Sequence, residues 1–139
     1  MRALAHTPLT RTAPLMIEAL GQVALTVRDV ERSVKFYRDE VGLHFLFAPA
    51  PSLAFFALGD VRLMLSTPEG DFKPGGSSVL YLRVPDIDAE YAAMTARGVE
   101  FVDAPHLIAK MPDHDLWMCF FRDPDEHTLA LLCERRPPA

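Results

Sequence analysis

With 139 residues, half of them apolar, this chain can bury one substantial core but is too short for two domains. Nineteen acidic against fourteen basic side chains leave a formal charge of −5, and without a long basic run this excludes nucleic acid and anionic membrane surfaces as general partners. No apolar run reaches the roughly 18 residues of a membrane span, so a small molecule is the class of partner left open.

In chain order, residues 1–16 carry Arg2, His6, Thr7, Pro8, Arg11 and Pro14. They lack the apolar centre of a secretory signal and read as a flexible leader. A single domain is expected over 17–134, with 135–139 as a tail. Alternating Val23, Leu25 and Val27 predict a first strand over 17–27. Asp29 is placed to cap a helix over 30–41, whose apolar stripe is Val30, Val34, Tyr37 and Val41, and Gly42 ends it. Strands are expected at 43–48, 53–58 and 61–66, the last two joined by the two-residue turn Gly59-Asp60. This first module (17–67) is followed by a Pro- and Gly-rich linker over 67–77. The second module (78–134) predicts a strand at 78–84, a helix at 86–97 closed by Gly98, and strands near 99–110, 116–121 and 127–133.

The two modules are a repeat. At a constant offset of 57 residues, Val23, Leu25 and Val27 match Leu80, Leu82 and Val84, Asp29 matches Asp86, and Val30, Val34 and Tyr37 match Ile87, Tyr91 and Met94. One offset therefore survives a change of period from 2 to 3.6, which chance alternation does not produce. Module two is nine residues longer between its first and last strands, with the extra length expected between Val99 and Leu116 as a rim insertion. Cys119 and Cys133 lie in apolar stretches and form no CxxC, so a reduced, cytoplasmic setting is expected.

The doubled βαβββ pattern, the Gln22-Val-Ala-Leu-Thr-Val strand, the Phe36-Tyr37 pair, Val41-Gly42-Leu43 and the late Arg122-Asp-Pro-Asp turn closely resemble the vicinal oxygen chelate superfamily. That family includes glyoxalase I, bleomycin-resistance and fosfomycin-resistance proteins and extradiol dioxygenases. The resemblance covers residues 17–134 and implies an α+β fold, two tandem βαβββ modules forming a curved mixed sheet around a cup-shaped pocket. It also implies a homodimer. In metal-using members the ligands come from the first and last strands of each module, and the motif carries those positions onto Gln22, Met64, Val79 and Ala130. Only Gln22 could bind a divalent ion, whereas such ions need several converging carboxylate, imidazole or carbonyl donors. No metal and no cofactor is therefore expected.

Strand alternation fills in the rest of that face. Gln22, Phe55, Arg62, Met64, Tyr81 and Arg83 are expected to line it, and a pairing of Arg122 with His127 would add Trp117, Cys119 and Ala130. Such a lining suits a mainly apolar or aromatic ligand held by a few hydrogen bonds. Each polar candidate has a plainer reading: Gln22 as a polar spot in the core, Arg62 and Arg83 as solvated rim charges, Trp117 as core, Cys119 as a small hydrophobe. His106 and His114 could approach across a hairpin with Asp113 or Asp115 as a metal or acid/base site. The leading expectation is a metal-independent small-molecule binding protein; the alternative is a metal-dependent glyoxalase-like lyase or isomerase, or a dioxygenase.

Overall fold

The computed structural model describes residues 16–76 and 78–137. The expected leader, up to residue 15, and the end of the expected tail lie outside the described residues. Eight strands and two helical segments follow the doubled pattern: β1 Gln22–Thr26, α1 Val30–Lys35 continuing as a π-helical turn Phe36–Val41, β2 His44–Ala50, β3 Leu53–Leu58 and β4 Val61–Ser66; then β5 Leu80–Arg83, α2 Ile87–Ala96, β6 His106–Lys110, β7 Asp115–Arg122 and β8 Thr128–Arg135. The fold is α+β with two tandem βαβββ modules. Each module has its own four-stranded mixed sheet, in the order β1-β4-β3-β2 and β5-β8-β7-β6. The first and last strands of each module pair in parallel, Ala24 opposite Met64 and Tyr81 opposite Ala130.

Both helices start where the sequence places caps. Asp29 accepts from the Arg32 amide at 3.2 Å and Asp86 from the Ala89 amide at 3.1 Å, each satisfying a donor that the first turn leaves free. The first helix departs from the expected single α-helix at Phe36. There the amides of Gly42 and Leu43 both donate to the Tyr37 carbonyl, at 3.0 and 2.8 Å, which widens the last turn. Gly42 ends it at φ 92°, a left-handed conformation that a Cβ would oppose. The wide turn buries the neighbours Phe36 and Tyr37 together, their rings edge to face at 5.1 Å.

Three sequence expectations are corrected. The first strand is shorter than 17–27, because residues 16–21 are exposed and only the Gly21 carbonyl among them meets β4, accepting from the Arg62 amide at 3.0 Å. The long strand expected from 99 is only β6, Phe101 reaching Phe121 through a single isolated bridge. The last turn spans Asp123 to His127, so Arg122 pairs with Thr128 instead of His127; part of the added length of module two thus lies in this turn, beyond the 99–116 stretch.

One core unites the modules. Leu25, Val27, Phe56, Leu63 and Leu65 from the first sheet share it with Cys119, Phe121, Leu129 and Leu131 from the second, and Tyr37, Ile87 and Met94 of the helices lie between. The polar seam across it comes from the last turn. The Asp123 carboxylate accepts the Tyr37 hydroxyl at 2.7 Å through one oxygen and the Asp125 and His127 amides through the other. Asp125, its side chain fully buried, accepts from the Arg32 guanidinium at 2.9 Å, the Ser33 hydroxyl at 3.4 Å and the Arg28 amide at 3.3 Å. His127 donates from Nε2 to the Thr26 carbonyl at 2.7 Å. The linker is tied down here as well: Gly75, at φ 73°, donates its amide to the Asp125 carbonyl at 2.8 Å, and a Cβ on it would sit 3.2 Å from the Glu126 carbonyl oxygen.

This seam generates two stability predictions. Tyr37→Phe leaves the buried Asp123 oxygen short of a donor and should cost about 1–3 kcal/mol in urea denaturation. Burial first, and Asp123 second, hold the Tyr37 phenol well above its usual range, so the folded state keeps a proton that the unfolded chain releases. Stability should therefore fall as pH rises above about 10, and Tyr37→Phe should flatten that alkaline limb. Glu126 lies at φ 69°, in the left-handed region. Its strain of about 1–2 kcal/mol outweighs the chain entropy of glycine, about 0.5–1 kcal/mol, so Glu126→Gly should raise the melting temperature by a few degrees.

Candidate functional site

The strands present their second faces away from the shared core. On the first sheet Gln22, Ala24 and Thr26 of β1 stand beside Arg62, Met64 and Ser66 of β4, with Phe55 opposite Met64 and Ala57 opposite Arg62, the register the two-residue turn implies. The Gln22 carboxamide donates from Nε2 to the Met64 sulfur at 3.6 Å. The Arg62 guanidinium lies 5.7 Å from the Phe55 ring centroid, and Phe55 meets Phe47 of β2 at 5.1 Å. The face is thus apolar and sulfur-bearing, with one amide and one guanidinium as its polar points.

The second sheet repeats this layout. Tyr81 and Arg83 of β5 stand beside Ala130 and Leu132 of β8, which face Phe120 and Met118 of β7. Tyr81 and Phe120 meet edge to face at 6.2 Å. Tyr81 is 51% exposed and Phe47 49%, so each face leaves large aromatic surface in contact with solvent. Among the described residues no hydrogen bond, ion pair or ring contact joins the two faces.

Trp117 and Cys119 do not belong to this surface. Trp117 pairs with Cys133 and Cys119 with Leu131, on the helix-facing side. A turn of five residues instead of four shifts the register by one, and a shift of one turns every side chain to the other face. Met118 and Phe120, which the sequence reading passed over, take their places. Burial, with Asp103 adding to it, pushes the Cys119 thiol up to about 12, which makes it a core hydrophobe and a poor nucleophile. The Trp117 indole nitrogen is buried without a hydrogen-bond partner among the described residues, and the Arg135 guanidinium covers the ring at 4.3 Å.

The histidines also separate. His106 begins β6 and lies near the Ala104 carbonyl at 2.9 Å, whereas His114 sits in the turn at the far end of that strand, roughly 13 Å of extended chain away. His114 pairs with Asp113 at 2.7 Å and holds that carboxylate below its usual range. His127 serves the seam.

The four positions carried over from metal-using relatives are only partly brought to the open faces, Ala130 being fully buried. Gln22 and Met64 touch, Ala130 lies beside Tyr81, and Val79 precedes β5. Their chemistry does not fit a divalent ion: one carboxamide, one thioether and two hydrocarbons provide neither charge nor enough hard donors. Among the described residues no three His, Cys, Asp or Glu side chains are placed to hold one. No helix among the described residues is long and apolar enough to cross a membrane.

Paired βαβββ modules with open apolar faces define a protein class in which fold is shared and chemistry varies. Residues 19–131 match the model of the Glyoxalase/Bleomycin resistance protein/Dioxygenase superfamily, and the chain belongs to that superfamily. The uncharacterized protein YraH of Bacillus subtilis (strain 168) is 27% identical over 128 residues, 81% of this chain and 95% of that protein. A superfamily member from Sphaerobacter thermophilus DSM 20745 superposes with a TM-score of 0.72 at 26% identity, covering 86% of this chain and 100% of that one. A lactoylglutathione lyase from Agrobacterium tumefaciens shares the fold, with a TM-score of 0.67 at 19% identity over 84% of this chain and 94% of that one.

Because Cys119 and Cys133 are both buried, a disulfide-exchange reagent such as dithionitrobenzoate at pH 8 should label almost no thiol in the folded protein and two per chain in denaturant. Rapid labelling of folded protein would place at least one thiol at the surface.

Proposed function

We propose that this protein is a metal-independent small-molecule binding protein that takes a mainly apolar or aromatic ligand against the open sheet faces. The carrying observation is the composition of those faces: Phe55, Met64 and Tyr81 supply apolar contact, while Gln22, Arg62 and Arg83 are the few polar groups able to orient a ligand. Tyr81, about half exposed and meeting Phe120 edge to face, offers an aromatic face against which a ligand ring can stack. The Gln22 amide, resting on a thioether instead of a strong acceptor, can turn to a ligand carbonyl at little cost.

The reading includes a homodimer in the cytoplasm. The outermost strands of the two sheets, β2 and β6, carry exposed Leu46, Phe47, Leu107 and Ile108, apolar area that a second copy would cover. Two buried cysteines without a disulfide suit a reducing compartment. Metal-dependent lyase or dioxygenase chemistry is the competing reading. What supports the metal-independent one is the donor set at Gln22, Met64, Val79 and Ala130.

Titration of metal-free protein with a panel of aromatic and apolar compounds should give saturable binding, with no gain on adding Zn, Ni, Mn or Fe. Met64→Trp, which fills the first face beside Gln22, should weaken it at least tenfold. Stoichiometric metal in protein purified without chelators, together with activity that depends on it, would decide for the alternative.

A further inference from the structure

The repeat places the polar seam of the first helix beside a gap at the second. At the 57-residue offset Thr26, Ser33 and Tyr37, which receive the turn Asp123 to His127, correspond to Arg83, Glu90 and Met94. The turn that should dock on this second set joins β3 to β4, and it has only Gly59 and Asp60 where its counterpart has five residues. It cannot reach. What remains is a crevice of about 600 Å³ lined by Leu58, Gly59 and Val61 of that hairpin, Val23 of β1, Val41 to Leu43 of the wide turn, and Leu80 to Val84, Glu90 and Met94 opposite. Gln22, Met64, Phe55 and Ala130 are absent from this lining; only Tyr81 and Arg83 of β5 are shared with the open face of the second sheet, so the crevice lies beside the open faces, at the β5 edge.

Its chemistry selects a ligand. The walls are mostly aliphatic, which calls for an apolar body. Glu90 is already neutralised by the Arg97 guanidinium at 3.3 Å, and Arg97 is further anchored on the Glu40 and Val41 carbonyls at 3.0 and 3.3 Å. Arg83 lines the crevice and has no ion pair or hydrogen-bonded carboxylate among the described residues. The uncompensated charge is therefore positive. The equivalent place in the other half already shows what fills such a space: a short apolar link, Pro124, flanked by the carboxylates of Asp123 and Asp125. We infer that the crevice between the β3–β4 hairpin and β5 with α2 is a second ligand site, for a small amphipathic carboxylate whose apolar part fills the gap and whose anionic group meets Arg83.

The test uses sodium octanoate and full-length protein labelled with ¹³C at its methionine methyls, Met94 and Met64 being assigned by Met→Leu substitution. Octanoate should shift the Met94 methyl saturably and leave the Met64 methyl in place. Octylamine, with the same chain and the opposite charge, should not. Arg83→Gln should weaken octanoate binding about fivefold, the size expected of an exposed charge pair. Val23→Trp should abolish it with the melting transition retained. No saturable Met94 shift would overturn the proposal, as would equal binding of octylamine. Displacement of Met64 in place of Met94 would assign octanoate to the open faces and overturn this site while leaving the reading above standing. A Met94 signal that moves with protein concentration and not with octanoate would give the crevice to a second copy of the chain, and also overturn it.

Discussion

The structure depends on two aspartates brought to the first helix by the last turn of the chain. Asp123 and Asp125 both sit in the interior, where an unpaired carboxylate would cost several kcal/mol, and every partner their carboxylates find outside their own turn belongs to the other module: Tyr37, Arg32, Ser33 and the Arg28 amide. Asp125 also lies at the start of α1, where free amides favour a negative charge. The two halves are therefore held in one relative position by charge and hydrogen bonding as well as by apolar contact. Apolar contact alone tolerates sliding; these bonds do not.

Much of this was legible from the residues. The 57-residue offset located both N-caps, both helices and most strands, because caps, turns and periodicity are local properties. Three things were not. The widened turn at Phe36 to Val41 arises from two amides sharing the Tyr37 carbonyl, and 3.6-residue spacing cannot announce a 4.4-like turn. The register of β7 against β8 depends on a turn held by Asp123 accepting from the amides two and four residues on, and guessing it one residue short sent Trp117 and Cys119 to the wrong face and hid Met118 and Phe120. The partners of Asp123 and Asp125 lie about ninety residues away in the chain, a pairing that local pattern does not carry.

Gln22, Phe55, Arg62, Met64, Tyr81 and Arg83 share the sides of the sheets turned from the core, since alternation from a strand start is robust to small errors at its ends, whereas Ala130, in register with Tyr81, is fully buried. Their chemistry departs from that of metal-using relatives at every carried-over position but one. The superfamily fold is thus kept while its usual donor set has been replaced by amide, thioether and hydrocarbon, and fold and reaction must be read separately here.

The parallel pairing of first and last strands also shapes how the chain must fold. β1 waits for β4, and β5 for β8, so each sheet closes only after about forty to fifty residues have been laid down, the kind of long-range contact that slows folding. Because the halves are copies, β4 also meets two first strands of similar pattern, Val23-Leu25-Val27 and Leu80-Leu82-Val84, and apolar alternation scarcely tells them apart. The choice falls to features the copies do not share. Tyr37 against Met94, and Asp123-Pro-Asp-Glu against Gly59-Asp60, make a mispaired chain bury carboxylates with nothing to hold them. Divergence between the two halves thus lets a duplicated sequence settle on one of its possible pairings.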